Sequence, residues 1–69
     1  MKKSAVKSKV FQVIRGGIGF ELQSEPEGGY TVFVPSLPGC ISYGSTFEEA
    51  MEMIKDAMAG WLDVAREEG

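Results

Sequence analysis

The sequence predicts an α+β domain: a three- to four-stranded antiparallel sheet with one amphipathic C-terminal helix packed on one face. Three observations support this fold class. A Gly16-Gly17 pair separates two short runs of β-forming residues, and Ile18, Phe20 and Leu22 alternate with residues that do not belong to a core. After Thr46 the apolar residues recur at helical spacing instead.

Length and composition indicate a single small globular domain. The chain has 69 residues, of which 43% are hydrophobic and 25% charged, an ordinary globular balance. We expect residues 1–7 to form a flexible tail and residues 8–69 the domain. No apolar run approaches the roughly 20 residues that cross a bilayer, and no signal peptide is evident. A single cysteine and the absence of histidine exclude a disulfide framework and a Cys/His metal site, so we expect no metal, no cofactor and a cytoplasmic location.

The first two predicted strands form a hairpin. Lys9 to Ile14 is rich in β-formers, and glycine accepts the positive φ angles of a two-residue turn at Gly16-Gly17. With Arg15 and Ile18 flanking that turn, Val13 lies opposite Phe20, and Phe11 lies opposite Leu22. The register and the apolar face therefore agree.

Two further strands follow a polar loop. Tyr30 to Val34 alternates as a third strand, and Pro35 ends it because proline donates no ladder hydrogen bond. Leu37-Pro38-Gly39-Cys40 fits a type II turn, with proline at its second position and glycine at its third. Cys40 to Tyr43 is then a short fourth strand closed by Gly44.

A helix is predicted from Thr46 to Ala65. Ser45 with Glu48, or Thr46 with Glu49, provides a capping box at its start. The apolar residues that follow fall on one stripe at about 100° per residue. They are Phe47, Ala50, Met51, Ile54, Met58, Trp61, Leu62 and Ala65, with Ala57 at the margin.

Two apolar patches lie outside the predicted core. Val10, Ile14 and Phe33 share the second face of the sheet, and Met53 and Val64 lie beside Gly60 on the helix. Such residues are either singly exposed or part of a subunit interface. Because small domains gain stability by association, we expect a homo-oligomer that uses one of these patches, with Val10, Ile14 and Phe33 as the candidate.

The outer face of the helix is acidic. Glu48, Glu52 and Asp56 follow one another at i, i+4 spacing, and Asp63 extends the series. Like charges at this spacing cost a few tenths of a kcal/mol each. The row is either a solvated face that keeps an acidic protein soluble or a docking ridge for a basic partner.

The remaining chemistry argues against an enzyme and against nucleic-acid binding. The chain has no histidine to act as a general base, and a lone strand cysteine such as Cys40 is usually a small buried hydrophobe. All ten acidic residues follow Gly16, whereas five of the seven basic residues precede it. An acidic body does not suit phosphate backbones, so no direct nucleic-acid contact is expected.

The stretch from Val34 to Ala50 resembles the HicB-like antitoxin family. Family members share a strand that ends in proline, a Leu-Pro-Gly turn, a short strand that ends in glycine, and a Thr-x-x-Glu-Ala helix start. In this chain the matching residues are Pro35, Leu37, Pro38, Gly39, Cys40, Gly44, Thr46, Glu49 and Ala50. The resemblance covers about Ile18 to Leu62.

The resemblance implies a partial ribonuclease-H-like sheet and helix without catalytic carboxylates. It also implies a non-enzymatic, self-associating antitoxin that masks a small, basic, RNA-cleaving toxin of the HicA type. Many members carry a C-terminal DNA-binding domain; this sequence ends at Gly69, just after the helix, so we expect the short form. The strand before Ile18 has no counterpart in the family pattern. The alternative function is an orphan oligomeric scaffold or small-ligand module without a toxin.

Overall fold

The computed structural model describes residues 9–68, with side chains described as far as residue 64. The elements follow the chain as β1 (Val10–Arg15), β2 (Ile18–Ser24), β3 (Tyr30–Phe33), β4 (Ile41–Gly44) and α1 (Phe47–Glu68). The four strands form one antiparallel meander in the order β1-β2-β3-β4. The predicted α+β class is therefore confirmed, with four strands and one helix. The tail predicted for residues 1–7 lies outside the described residues.

The β1–β2 hairpin has the predicted register. Arg15 pairs with Ile18, Val13 with Phe20, and Phe11 with Leu22. The two turn glycines have φ angles of 58° and 78°, as a type I′ turn requires. This turn matches the right-handed twist of the strands, so the hairpin closes without a bulge.

Several predicted boundaries were off by one to three residues. The first strand begins and ends one residue later than predicted, and the third stops before Val34. The fourth strand runs Ile41–Gly44 because Gly44 still pairs with Tyr30. The helix begins at Phe47 and continues beyond the predicted Ala65.

The core lies between α1 and the inner face of the sheet. Its buried side chains come from β2, β3, the segment around the Leu37–Cys40 turn, and the first half of the helix. They are Phe20, Leu22, Val32, Val34, Cys40, Ala50, Met51 and Ile54. The predicted stripe is confirmed there, but Leu62 is 43% exposed and lies outside the core. The side chain of Ala65 lies outside the described residues.

The helix start combines a cap with an aromatic cluster. The Thr46 Oγ1 accepts a hydrogen bond from the Glu49 amide at 3.0 Å, and the Glu49 carboxylate accepts one from the Ser45 amide at 2.6 Å. Of the two predicted capping boxes, the chain uses Thr46 with Glu49. Phe47 packs edge-on against Phe11 and Tyr30, with ring centroids 6.1 and 5.6 Å apart. The cluster joins β1 and β3 to the first turn of the helix.

Candidate partner-binding surfaces

The segment before β4 is a framework of two linked turns. The Leu37 amide donates to the Val34 carbonyl at 2.9 Å, and the Cys40 amide donates to the Leu37 carbonyl at 3.0 Å. Gly39 has a φ of 84°, which confirms the predicted type II turn. The indole of Trp61 donates to the Pro38 carbonyl at 2.9 Å, so the helix is tied to this turn. These motif residues set backbone geometry.

Close approaches explain two further residues of this framework. A Cβ atom on Gly44 would meet the Ala50 amide nitrogen and the backbone around it, so the missing side chain lets the helix lie against β4. The Tyr43 hydroxyl donates to the Gly28 carbonyl at 3.0 Å and ties β4 to the β2–β3 loop. Neither approach shows in the hydrophobic pattern.

Cys40 is a buried residue of the core. Its side chain is 3% exposed, and burial raises the pKa of its thiol above the usual 9.0. A raised pKa keeps the thiol protonated at neutral pH, whereas nucleophilic cysteines need a lowered one. Among the described residues there is also no group of three His, Cys, Asp or Glu side chains placed to hold a metal.

The acidic residues singled out from the sequence lie on the exposed side of α1. Glu48, Glu52, Asp56 and Asp63 are all exposed, within an arc of about 80° at 100° per residue. We call this set the acidic ridge. It faces away from the sheet and is therefore accessible to a partner.

The N-terminal half of the acidic ridge has a basic neighbour that the sequence did not reveal. Arg15, at the hairpin turn, lines one shallow polar depression together with Lys55, Glu48 and Glu52. Two cations therefore lie beside two carboxylates at this end of the ridge.

The outer sheet face is apolar on its β1 side and on its β3–β4 side, and it is polar along β2 between them. Val10 and Ile14, 56% and 77% exposed, share this face with the half-buried Phe33, as predicted. The polar or small residues of β2 separate them, and Phe33 instead pairs with Ile41. Ile41 and Tyr43, 57% and 52% exposed, complete the β4 side. In the sequence, the alternation of Ile41 and Tyr43 with Ser42 already indicated that these two side chains share one face of the strand, but the prediction of the apolar patch did not include them.

The described part of α1 is not long and apolar enough to cross a membrane. It is an amphipathic surface helix, with one stripe in the core and the other side carrying charge. The acidic ridge and the apolar outer face are thus two accessible surfaces of contrasting character.

Comparison with known proteins gives one family. The model for the HicB-like antitoxin of bacterial toxin-antitoxin systems matches residues 20–69. A UPF0150 protein of Synechocystis is 45% identical over 42 residues, covering 61% of this chain and 53% of the relative. One from Helicobacter pylori is 50% identical over 36 residues, covering 52% and 50%. One from Archaeoglobus fulgidus is 38% identical over 45 residues, covering 65% of each.

The chain thus matches between half and two thirds of the length of these relatives. No solved structure matches it significantly. The matched region begins inside β2 and takes in the linked turns, β4 and the helix. The first strand lies outside the family match.

Proposed function

Because the chain belongs to the HicB-like antitoxin family of bacterial toxin-antitoxin systems, we propose that it binds and masks a small, basic, RNA-cleaving toxin of the HicA type. Family membership indicates an antitoxin role. The proposal extends this to a specific class of partner and to a protein with no catalytic activity of its own. It also takes the sheet and helix as a partial ribonuclease-H-like unit that works in the cytoplasm.

The acidic ridge is the observation that supports this partner. An enzyme that binds RNA carries a basic footprint for phosphates, and a row of exposed carboxylates complements that footprint. Asp56 lies one turn beyond Glu52 and is not part of the Arg15 and Lys55 depression. We therefore place the centre of the toxin contact at Asp56, with Glu48, Glu52 and Asp63 around it.

Charge reversal on the ridge tests the proposal. The combined Glu52→Lys and Asp56→Lys variant should weaken binding of a purified small, basic HicA-type toxin by about ten- to a hundredfold, because like charges then face each other. Isothermal titration calorimetry measures the change. Raising the salt concentration should reduce the wild-type affinity, because salt screens exposed charges.

Single variants supply the matched control for that experiment. Asp56→Lys and Glu27→Lys change the net charge equally, and both positions are exposed, but Glu27 lies in the β2–β3 loop. Asp56→Lys should weaken binding more than Glu27→Lys does. Equal affinities would show that the ridge is not the contact. Absence of any binding to the wild type would favour the orphan scaffold instead.

We propose further that the outer-face residues Val10, Ile14 and Phe33 form a self-association surface. Ile14 is the most exposed of the large apolar side chains described in the structure, at 77%. Burying an isoleucine side chain yields about 1.5–3 kcal/mol, so Ile14→Lys should raise the dissociation constant of the oligomer by about tenfold or more. Sedimentation velocity measures it. Ala59→Lys adds the same charge at an exposed position on the helix, on the other side of the sheet, and an equal effect of the two variants would contradict the assignment.

A further inference from the structure

The fourth strand has an open edge with unused hydrogen-bonding groups. The Val34 amide donates to the Cys40 carbonyl at 3.2 Å, so these two residues are a hydrogen-bonded pair. In an antiparallel ladder such pairs alternate, so Ser42 and Gly44 bond towards β3. The backbone groups of Ile41 and Tyr43 therefore point away from the sheet, where the described chain provides no further strand.

Nothing in the sequence of this strand protects that edge. Exposed edges are usually guarded by lysine, proline, a bulge or an inward charge. Ile41 to Gly44 contains only Ile, Ser, Tyr and Gly, whereas the opposite edge strand, β1, is flanked by Lys9 and Arg15. Its two outward side chains, Ile41 and Tyr43, are more than half exposed.

The helix flank beside β4 carries no charged residue between Met53 and Val64. The Ser42 hydroxyl donates to the Met53 carbonyl at 3.3 Å, which places this side of α1 next to the strand. Ala57, Gly60 and Val64 continue the same flank. Together with Ile41 they line an open depression of about 650 Å³ between β4 and the helix. The opposite flank, in contrast, carries Glu48, Glu52 and Lys55.

In the part of the chain that the structure describes, no contact explains the glycine at position 60. A glycine inside a helix costs about 1 kcal/mol relative to alanine. A Cβ atom there would meet nothing within 4 Å, so the space around it is open in the single chain. A glycine at position 60 is explained if a second protein surface packs closely against the helix there.

We propose that a second copy of this chain docks on this surface, pairing β4 with β4 around a two-fold axis at Ser42. The axis sets Ile41 of one copy opposite Tyr43 of the other, so that the N–H and C=O groups of both residues find partners. Their side chains then form a favourable cross-strand pair of an aromatic and a β-branched residue. The sheet becomes continuous across the dimer, and the uncharged helix flanks meet beside it.

The charge distribution of the chain favours a second copy, and not a basic protein, as the partner on this surface. The chain carries a net charge of −3, so two copies repel each other unless they meet where charge is absent. The β4 flank of the helix is such a place, and charged residues are depleted at the centres of interfaces. A basic protein is matched by the acidic ridge instead. The dimer therefore leaves the ridge free, and its existence does not depend on the toxin.

Adding a charge at Gly60 tests the dimer. Gly60→Glu should raise the dissociation constant by at least about tenfold, as measured by sedimentation equilibrium. The folded monomer should persist, because glutamate is a better helix former and the site is open. Far-UV circular dichroism checks this. Ala59→Glu is the matched control, since it adds the same charge at an exposed neighbouring position on another side of the helix.

Three outcomes overturn the proposal: a monomeric wild type at high micromolar concentration, equal weakening by Gly60→Glu and Ala59→Glu, and dissociation by Ile14→Lys but not by Gly60→Glu. Ile41→Lys provides a second variant on the strand itself and should weaken the dimer as Gly60→Glu does. Because Ile14 lies on the opposite edge strand, dissociation by Ile14→Lys alone would assign the oligomer to the outer face.

Discussion

Gly44→Ala should destabilise the protein by about 3 kcal/mol, the largest effect we expect from adding one methyl group. The added Cβ would meet the Ala50 amide nitrogen and the backbone beside it. A flexible side chain could move away at little cost, but helix backbone moves only by shifting the helix off β4. Urea unfolding followed by circular dichroism measures the loss, as a lower midpoint with an unchanged slope.

Gly19→Ala is the control for that substitution. Gly19 is also a strand glycine, but a Cβ there would meet nothing within 4 Å. Alanine also loses less conformational freedom than glycine on folding. The control should therefore be neutral or slightly stabilising. A loss for Gly44→Ala no larger than that for Gly19→Ala would mean that the helix does not rest against the strand.

Ile54→Ala should cost about 2–5 kcal/mol. Ile54 is fully buried, with an exposure of 0%, and it lies in the first half of the helix among the core residues. A domain of this size has a total stability of roughly 3–10 kcal/mol, at 0.05–0.15 kcal/mol per residue. The variant should thus lose a large share of its stability. Thermal and urea unfolding both report it.

Leu62→Ala removes a comparable side chain from the same helix. Leu62 is 43% exposed and lies outside the buried cluster, so its truncation should cost less than about 1 kcal/mol. Similar losses for the two variants would contradict the assignment of the core to the first half of the helix.

Local rules accounted for much of the fold. The Gly16-Gly17 turn and the alternation of Ile18, Phe20 and Leu22 determined the hairpin register, because a one-residue slip would expose the whole apolar face. Thr46 and Glu49 determined the helix start through groups only three residues apart. In each case the interactions that determine the structure join residues close in sequence. A local sequence pattern can therefore predict them.

Those rules did not predict where the helix lies across the sheet. Periodicity assigns a residue to a face but does not say which strands lie beneath the helix. Consequently the proximity of Arg15 to the acidic ridge and the exposure of Leu62 were not anticipated. The apolar outer face was predicted from Val10, Ile14 and Phe33, and Ile41 joined it only when the β3–β4 register was known.

The tie between Trp61 and the Pro38 carbonyl makes this protein its own fluorescent probe. Trp61 is the one tryptophan of the chain, and its ring is half-buried beside Cys40 and Val64. Its emission therefore reports the polarity of the depression between β4 and the helix. This signal is separate from the circular dichroism of the backbone. A second copy seated on that depression would alter the spectrum, whereas a toxin bound only to the acidic ridge would leave it unchanged. Dimerisation can therefore be titrated through Trp61 without a label, even when the toxin is present on the acidic ridge.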